Sequence, residues 1–204
     1  MKGVKIYMEG GGEGKNARSA LRLGMDAFLH ELKVAARKAK WNWNLVCCGS
    51  RERTFHAFRE AQKSNDGTMI VLLVDAEEPV HGSPVNHLKA RDGWEIHEAD
   101  QDIIHLMTQV METWIVADSE ALSNYYGNGF RRNALPKASD LETVTMADIG
   151  RALERATRDT QKGRYHKIHH ASDLLGRIDP DRVRQRCAHC KRLFALIGEA
   201  IDAG

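Results

Sequence analysis

Glu9, Asp75 and Glu77 are the residues whose type and position point most directly to chemistry. Each follows an apolar, β-prone run, VKIYM before Glu9 and TMIVLLV before Asp75-Ala76-Glu77. A carboxylate at the carboxyl end of a parallel strand stands where open α/β sheets bind their ligands. In an extended chain residues i and i+2 point the same way, so Asp75 and Glu77 are expected to face one hard cation together. Three acids on neighbouring strand ends leave too much negative charge unless Mg²⁺ or Mn²⁺ neutralises it. Such an ion can clamp a phosphodiester and activate a nucleophile, and the expected ligand set is Glu9, Asp75 and Glu77.

The glycine-rich segment EGGGEGKN after the first run admits other readings. A Walker A loop needs Gly at its first position and Ser or Thr after the Lys, and those positions hold Glu9 and Asn16, so it is rejected. Gly12, Gly14 and Ala17 satisfy the spacing of a dinucleotide fingerprint. The acid that should end the second strand is absent, however, because Cys47, Cys48 and Gly49 stand there. A tight strand-to-helix turn that needs glycine backbone freedom is the plainest alternative.

Further candidates lie downstream. Asp102, His105, Gln109 and Glu112 recur at helical spacing among apolar residues, as one polar stripe on which Glu112 could complete a metal site. Gly49-Ser50-Arg51 opens a helix, where Arg51 and the amides could hold a phosphate, or Ser50 could simply cap. Lys162, Arg164, Tyr165, His166 and Lys167 form the densest basic-aromatic cluster, readable as a phosphate-tracking strip with Tyr165 stacking on a base, or as a solvated charge run. His87, Lys89 and Arg91 form a second basic set. Cys187 and Cys190 make one CxxC, and with His166 and His170 they have the ligand types for zinc. A lone CxxC in a helical pattern reads equally as buried thiols, and Cys47 and Cys48 read as residues in or near the core.

The elements that must position these groups follow from periodicity. Residues 4–8, 43–48 and 68–75 read as strands, and 16–40 and 51–63 as helices. That alternation predicts an α/β Rossmannoid three-layer core with a parallel sheet over residues 1–118. Residues 78–100, rich in Pro, Gly, His and charge, read as a long functional loop, and 102–116 as helix running into strand. Helices over 146–157, 166–178 and 181–203 predict a mainly helical region, 119–204, packed on the core.

Composition narrows the class. The 204 residues carry 30 basic and 28 acidic side chains, so no global field attracts nucleic acid and any polyanion site is a local patch. No run of about 18 apolar residues and no signal-peptide pattern is present, which argues against a membrane span or secretion. Four cysteines do not make a disulfide scaffold, and the expected compartment is the reducing cytoplasm.

Glu9-Gly10 after the first strand and Asp75-Ala76-Glu77 after a later one resemble the paired acidic motifs of the Toprim domain of topoisomerases, bacterial primases and OLD-type nucleases. Glu77 departs from that pattern, which has Asp at its last position. Across IYMEGGGEGK, CGSRERTFHAF, VLLVDAEEPV, HLKARDGW, HLMTQVMETWIVAD and TQKGRYHK, the chain more closely resembles a bacterial family of small Toprim-like proteins encoded beside AAA- or ABC-type ATPases in phage-defence loci. The resemblance implies a Toprim-like fold and a Mg²⁺- or Mn²⁺-dependent nuclease or phosphodiester-processing subunit. It would act on DNA or RNA with a partner ATPase, possible also as a homo-oligomer. Glu9, Asp75, Glu77 and Glu112 would be the catalytic acids. Lys162 would be the assisting late lysine, with Lys167 the other residue able to take that part. Arg51, Lys89, Arg91, Lys162, Tyr165 and Lys167 would face the nucleic acid. A non-catalytic module that docks an ATPase or senses a phage component is the alternative. A small-molecule oxidoreductase, which would bind nicotinamide at Gly12 and Gly14, is a third class.

Overall fold

A computed structural model describes residues 2–12, 14–64 and 67–204. Its strands are β1 (Gly3–Glu9), β2 (Asn42–Gly49), β3 (Thr68–Asp75) and β4 (Ile104–Met107), all parallel in one sheet of order β2-β1-β3-β4. Between β1 and β2 lie α1 (Lys15–Phe28) and α2 (His30–Lys38); α3 (Arg51–Gln62) joins β2 to β3, and α4 (Pro84–Asp92) lies between β3 and β4. Then follow α5 (Met111–Ala117), α6 (Ser119–Tyr126), α7 (Met146–Thr157), α8 (Lys167–Leu175), α9 (Pro180–Arg186) and α10 (Ala188–Asp202). The architecture is α/β with helices on both faces of a parallel sheet, as the alternation of runs predicts.

Alternation along each strand sorts the core. Val4, Ile6, Met8, Val71 and Leu73 bury one face with Phe28 of α1, Trp114 of α5 and Leu193 of α10. Tyr7, Ile70, Leu72 and Val74 bury the other with Phe55 and Phe58 of α3, Leu88 of α4 and Trp94. Helices on both faces explain why β3 reads as an unbroken apolar run. Helices beyond residue 118 join the first of these clusters, and α8 lies along α1 at close range. A Cβ on Gly24 would stand 2.1 Å from the Ser172 carbonyl oxygen, so glycine permits that approach.

Several elements differ from expectation. The helix predicted over 16–40 is two, broken at Leu29. The predicted loop 78–100 contains α4, whose N-cap Ser83 accepts from the Asn86 N–H and whose first turn holds Pro84, two start signals that the loop-like composition masked. Residues 102–116 run in the reverse order, strand then helix, because Ile104–Met107 is a short run buried on both faces whose periodicity does not discriminate. The polar helical stripe from Asp102 to Glu112 therefore does not form. Among the described residues, no helix is long and apolar enough to cross a membrane.

Candidate functional site

The sheet order decides where the site can be. From β1 the chain moves outward to β2, then crosses back to β3 on the other side of β1. The carboxyl ends of β1 and β3 therefore flank a topological switch point, the crevice in which open α/β sheets bind ligands. Glu9 is the last residue of β1 and Asp75 the last of β3. Both line a cleft of about 380 Å³ together with Gly10, Gly11, Gly12 and Lys167. The glycine run makes its first wall. Gly11 has φ +79°, and a Cβ there would come within 2.7 Å of Arg18 Cα.

Each acid meets a cation. Arg51, the first residue of α3, places Nη1 3.0 Å from Glu9 Oε2 and donates from the same nitrogen to the Asp75 carbonyl at 2.6 Å. Its Nε and Nη2 form a fork on Asp92 at 2.9 and 2.8 Å, and its Cζ lies 5.2 Å from the Trp94 ring centroid. Lys167, the first residue of α8, stands 3.5 Å from Asp75 Oδ2 and 3.3 Å from Glu112 Oε2. Asp75 Oδ1 accepts from the Met111 N–H at 2.8 Å, and Tyr165 donates its hydroxyl to Glu112 Oε1 at 3.1 Å.

Burial outweighs these pairings in Glu9 and Asp75. Burial, then the charge of Asp75, pushes Glu9 up to about 7, against the pull of Arg51 and Lys167. Burial likewise pushes Asp75 up to about 6; Lys167 pulls it down and Glu112 pushes it further up. Lys167 is displaced the other way, since burial opposes its charge but Asp75 and Glu112 more than restore it. The result is a desolvated group of acids short of positive charge, with one proton-exchanging carboxyl near neutrality.

The predicted residues divide. Glu9, Asp75, Glu112, Arg51 and Lys167 come together. Glu77 leaves the extended conformation at φ +60° and pairs with Arg91, which also reaches Asp92. The premise that Asp75 and Glu77 share a direction therefore fails two residues past the end of β3. Among the described residues, no three His, Cys, Asp or Glu side chains form a ready metal-ligand group. Lys162 lies on the surface, its ammonium 4.6 Å from the Tyr125 ring centroid, so Lys167 is the lysine that stands among the acids. Tyr165 is committed to Glu112 and packed against the core, which leaves it unsuited to stacking on a base. Lys89 pairs with Glu98, and Arg91 is paired as above.

Other candidates take structural parts. His105 accepts at Nδ1 from Arg192 and donates from Nε2 to the Asp102 carbonyl; burial and Arg192 push its pKa down to about 3, so it stays neutral. His87 Nε2 donates to the Ala76 carbonyl at 3.0 Å, bracing the chain just beyond Asp75. Ser50 occupies the N-cap of α3 without a side-chain capping bond. Cys187 and Cys190 are buried free thiols that burial raises, and Cys47 and Cys48 are raised for the same reason. Asp92 went unnoticed in the sequence. Its signal was a helix-terminal acid in HLKARDGW, but nothing local tied it to Arg51.

A family model described as a domain of unknown function, DUF4276, matches residues 8–197, a span that includes every residue of this cleft. No curated protein and no solved structure matches the chain.

Proposed function

The chain belongs to the DUF4276 family, and for it we propose a metal-assisted phosphodiesterase activity: a Toprim-like nuclease or phosphodiester-processing subunit using Mg²⁺ or Mn²⁺. The observation that carries this reading is the meeting of Glu9 and Asp75 at the switch point of the sheet, opposite Lys167, on the floor of a cleft. Carboxylate oxygens suit a hard dication, and Mg²⁺ takes one or two carboxylates with waters and substrate phosphate rather than a closed protein cage. Asp75, with Glu9 beside it, fits that donor number, and the raised pKa of each marks a place where added positive charge is favourable. When bound, the ion supplies Lewis-acid polarisation of the phosphoryl group and a nucleophile at neutral pH.

The chain's own residues do the rest. Glu9, near 7, is suited to exchanging a proton with water at neutral pH. Lys167 can meet charge developing on phosphoryl oxygens, with Glu112 and Tyr165 aiming it. Arg51 holds Glu9 against the end of β3. The ATPase partner and the defence setting rest on the sequence resemblance, and the cytoplasmic location rests on the cysteine content. Near-neutral charge and an acidic site favour capture of nucleic acid through a partner or a second copy rather than by the free chain. One feature favours the second reading, a non-catalytic docking module: Arg51 and Lys167 already counter the acids.

Asp75→Asn tests between them, because asparagine keeps an oxygen to accept from the Met111 N–H. With Mn²⁺ or Mg²⁺ and a labelled single-stranded oligonucleotide, hydrolysis is expected to fall by roughly 10²-fold or more. The melting temperature in metal-free buffer should be unchanged or higher. Full hydrolysis by Asp75→Asn would sink the metal-assisted reading.

A further inference from the structure

The cleft has two kinds of lining. Glu9, Asp75 and Lys167 supply its charge, and Leu21, Met107, Met111, Ile168 and Ala171 supply apolar surface beside them. Its volume, about 380 Å³, lies at the lower end of the range for small-ligand sites. Ile168 is 68% exposed, a large apolar side chain left in solvent at the cleft beside the half-exposed Lys167. The acids are deep, Asp75 being 6% and Glu112 8% exposed. A Cβ at Gly12 would meet no atom within 4 Å, so the glycine wall leaves open space. The first turn of α1 beyond it carries Lys15 and Arg18 and no acid.

We infer that this cleft receives one unpaired nucleotide, its phosphate at Glu9, Asp75 and Lys167 and its base against the apolar side chains beside them, so that the substrate is a single strand or strand end rather than continuous duplex. This rests on the phosphodiester reading of the same site. The phosphates of an intact duplex lie along a stiff rod and do not descend to carboxylates this deep. A nucleotide freed from its partner swings its base into a pocket of apolar side chains and brings the phosphate with it. The apolar lining has no function in binding phosphate alone, and Ile168 stands at its exposed edge.

The full-length chain, with Mn²⁺, is titrated calorimetrically with dAMP and with deoxyribose 5-phosphate, which lacks the base. Tighter binding of dAMP by roughly tenfold is expected from burial of the base. Ile168→Ser, at an exposed position, and Ala17→Gln, which narrows the slot from α1, should each reduce dAMP towards the affinity of deoxyribose 5-phosphate. Both variants should melt as the parent does. In parallel, a single-stranded oligonucleotide should be cut much faster than a closed circular duplex of the same sequence. Equal affinity for the two small ligands, or equal cutting of the closed duplex, overturns the inference and leaves the hydrolase reading intact wherever Asp75→Asn is dead. Base-dependent dAMP binding by a chain that hydrolyses no phosphodiester supports the slot and overturns the hydrolase reading alone.

Discussion

Arg51 and Lys167 reach the same acids from opposite sides, and they are held in different ways. Arg51 is 14% exposed, forked on Asp92, set over Trp94 and donating to the end of β3. Lys167 is 52% exposed, its contacts of 3.3 and 3.5 Å are long for ion pairs, and it starts a helix whose N-cap His166 makes no capping side-chain bond. A guanidinium so enclosed is part of the scaffold, and removing it takes the ion-pair partner from Glu9 and leaves Asp92 with Arg91 alone. An ammonium so loosely held can follow a ligand's charge. The cleft thus separates a fixed counter-charge from an adjustable one, and rigidity marks the supporting residue rather than the reacting one.

The largest effect should come from Arg51→Met. Breaking a largely buried pair leaves uncompensated charge, so denaturant unfolding is expected to show a loss of about 3–5 kcal/mol. If that variant unfolds with parental stability, the assignment of Arg51 to the scaffold is wrong. Lys167→Met should do the reverse. Stability should fall by less than in Arg51→Met, because Lys167 is itself half-exposed, while metal-dependent hydrolysis falls by roughly 10²-fold as a transition-state charge partner is lost. A variant that hydrolyses normally would reduce Lys167 to a surface pair.

Arg192 supplies a control for both. It is built in like Arg51, donating to the Ile104 carbonyl at 2.8 Å, to His105 Nδ1 and to the Gln101 carbonyl, but it serves a neutral imidazole. His105 ionises near 6.5 when unfolded and about 3 when folded. Its contribution is therefore complete above pH 6.5 and is lost as pH falls towards 3, where the unfolded chain binds the extra proton. Comparing urea unfolding of the parent and His105→Gln across that window should show the parent losing more, by up to about 1.4 kcal/mol per pH unit. Equal slopes would mean that His105 takes up its proton in the fold.

The smallest effect belongs to Glu77→Gln. The Arg91 pair is partly exposed and Arg91 keeps Asp92, so a stability loss of about 0–1 kcal/mol is expected, with hydrolysis little changed. Loss of hydrolysis as deep as in Asp75→Asn would return Glu77 to the ligand set that the sequence suggests.

Local pattern carried much of this. The apolar runs before Glu9 and Asp75 were legible as strands, and with them the α/β class and the placing of two acids at strand ends. Glu112 was legible as an acid set among apolar residues, though the helical stripe expected to carry it does not form. Lys162 and Lys167 were indistinguishable, because one basic cluster holds both and only the packing of α8 on α1 brings the second inward. The direction of Glu77 was misread because strand periodicity was carried two residues past Asp75, to a position where Glu77 itself turns at positive φ.

The sequence by itself determined the first three strands and the helical stretches between them, and therefore that Glu9 and Asp75 end strands, since those choices depend on neighbours within a few residues. Only the tertiary structure decided that β1 and β3 are adjacent, and that Arg51, Asp92 and Lys167 converge on their ends. Contacts between residues 42, 41 or 92 positions apart (Glu9 to Arg51, Arg51 to Asp92, Asp75 to Lys167) leave no periodic trace. They are fixed by strand order and by how closely two helices can approach, both consequences of burying the whole apolar surface at once.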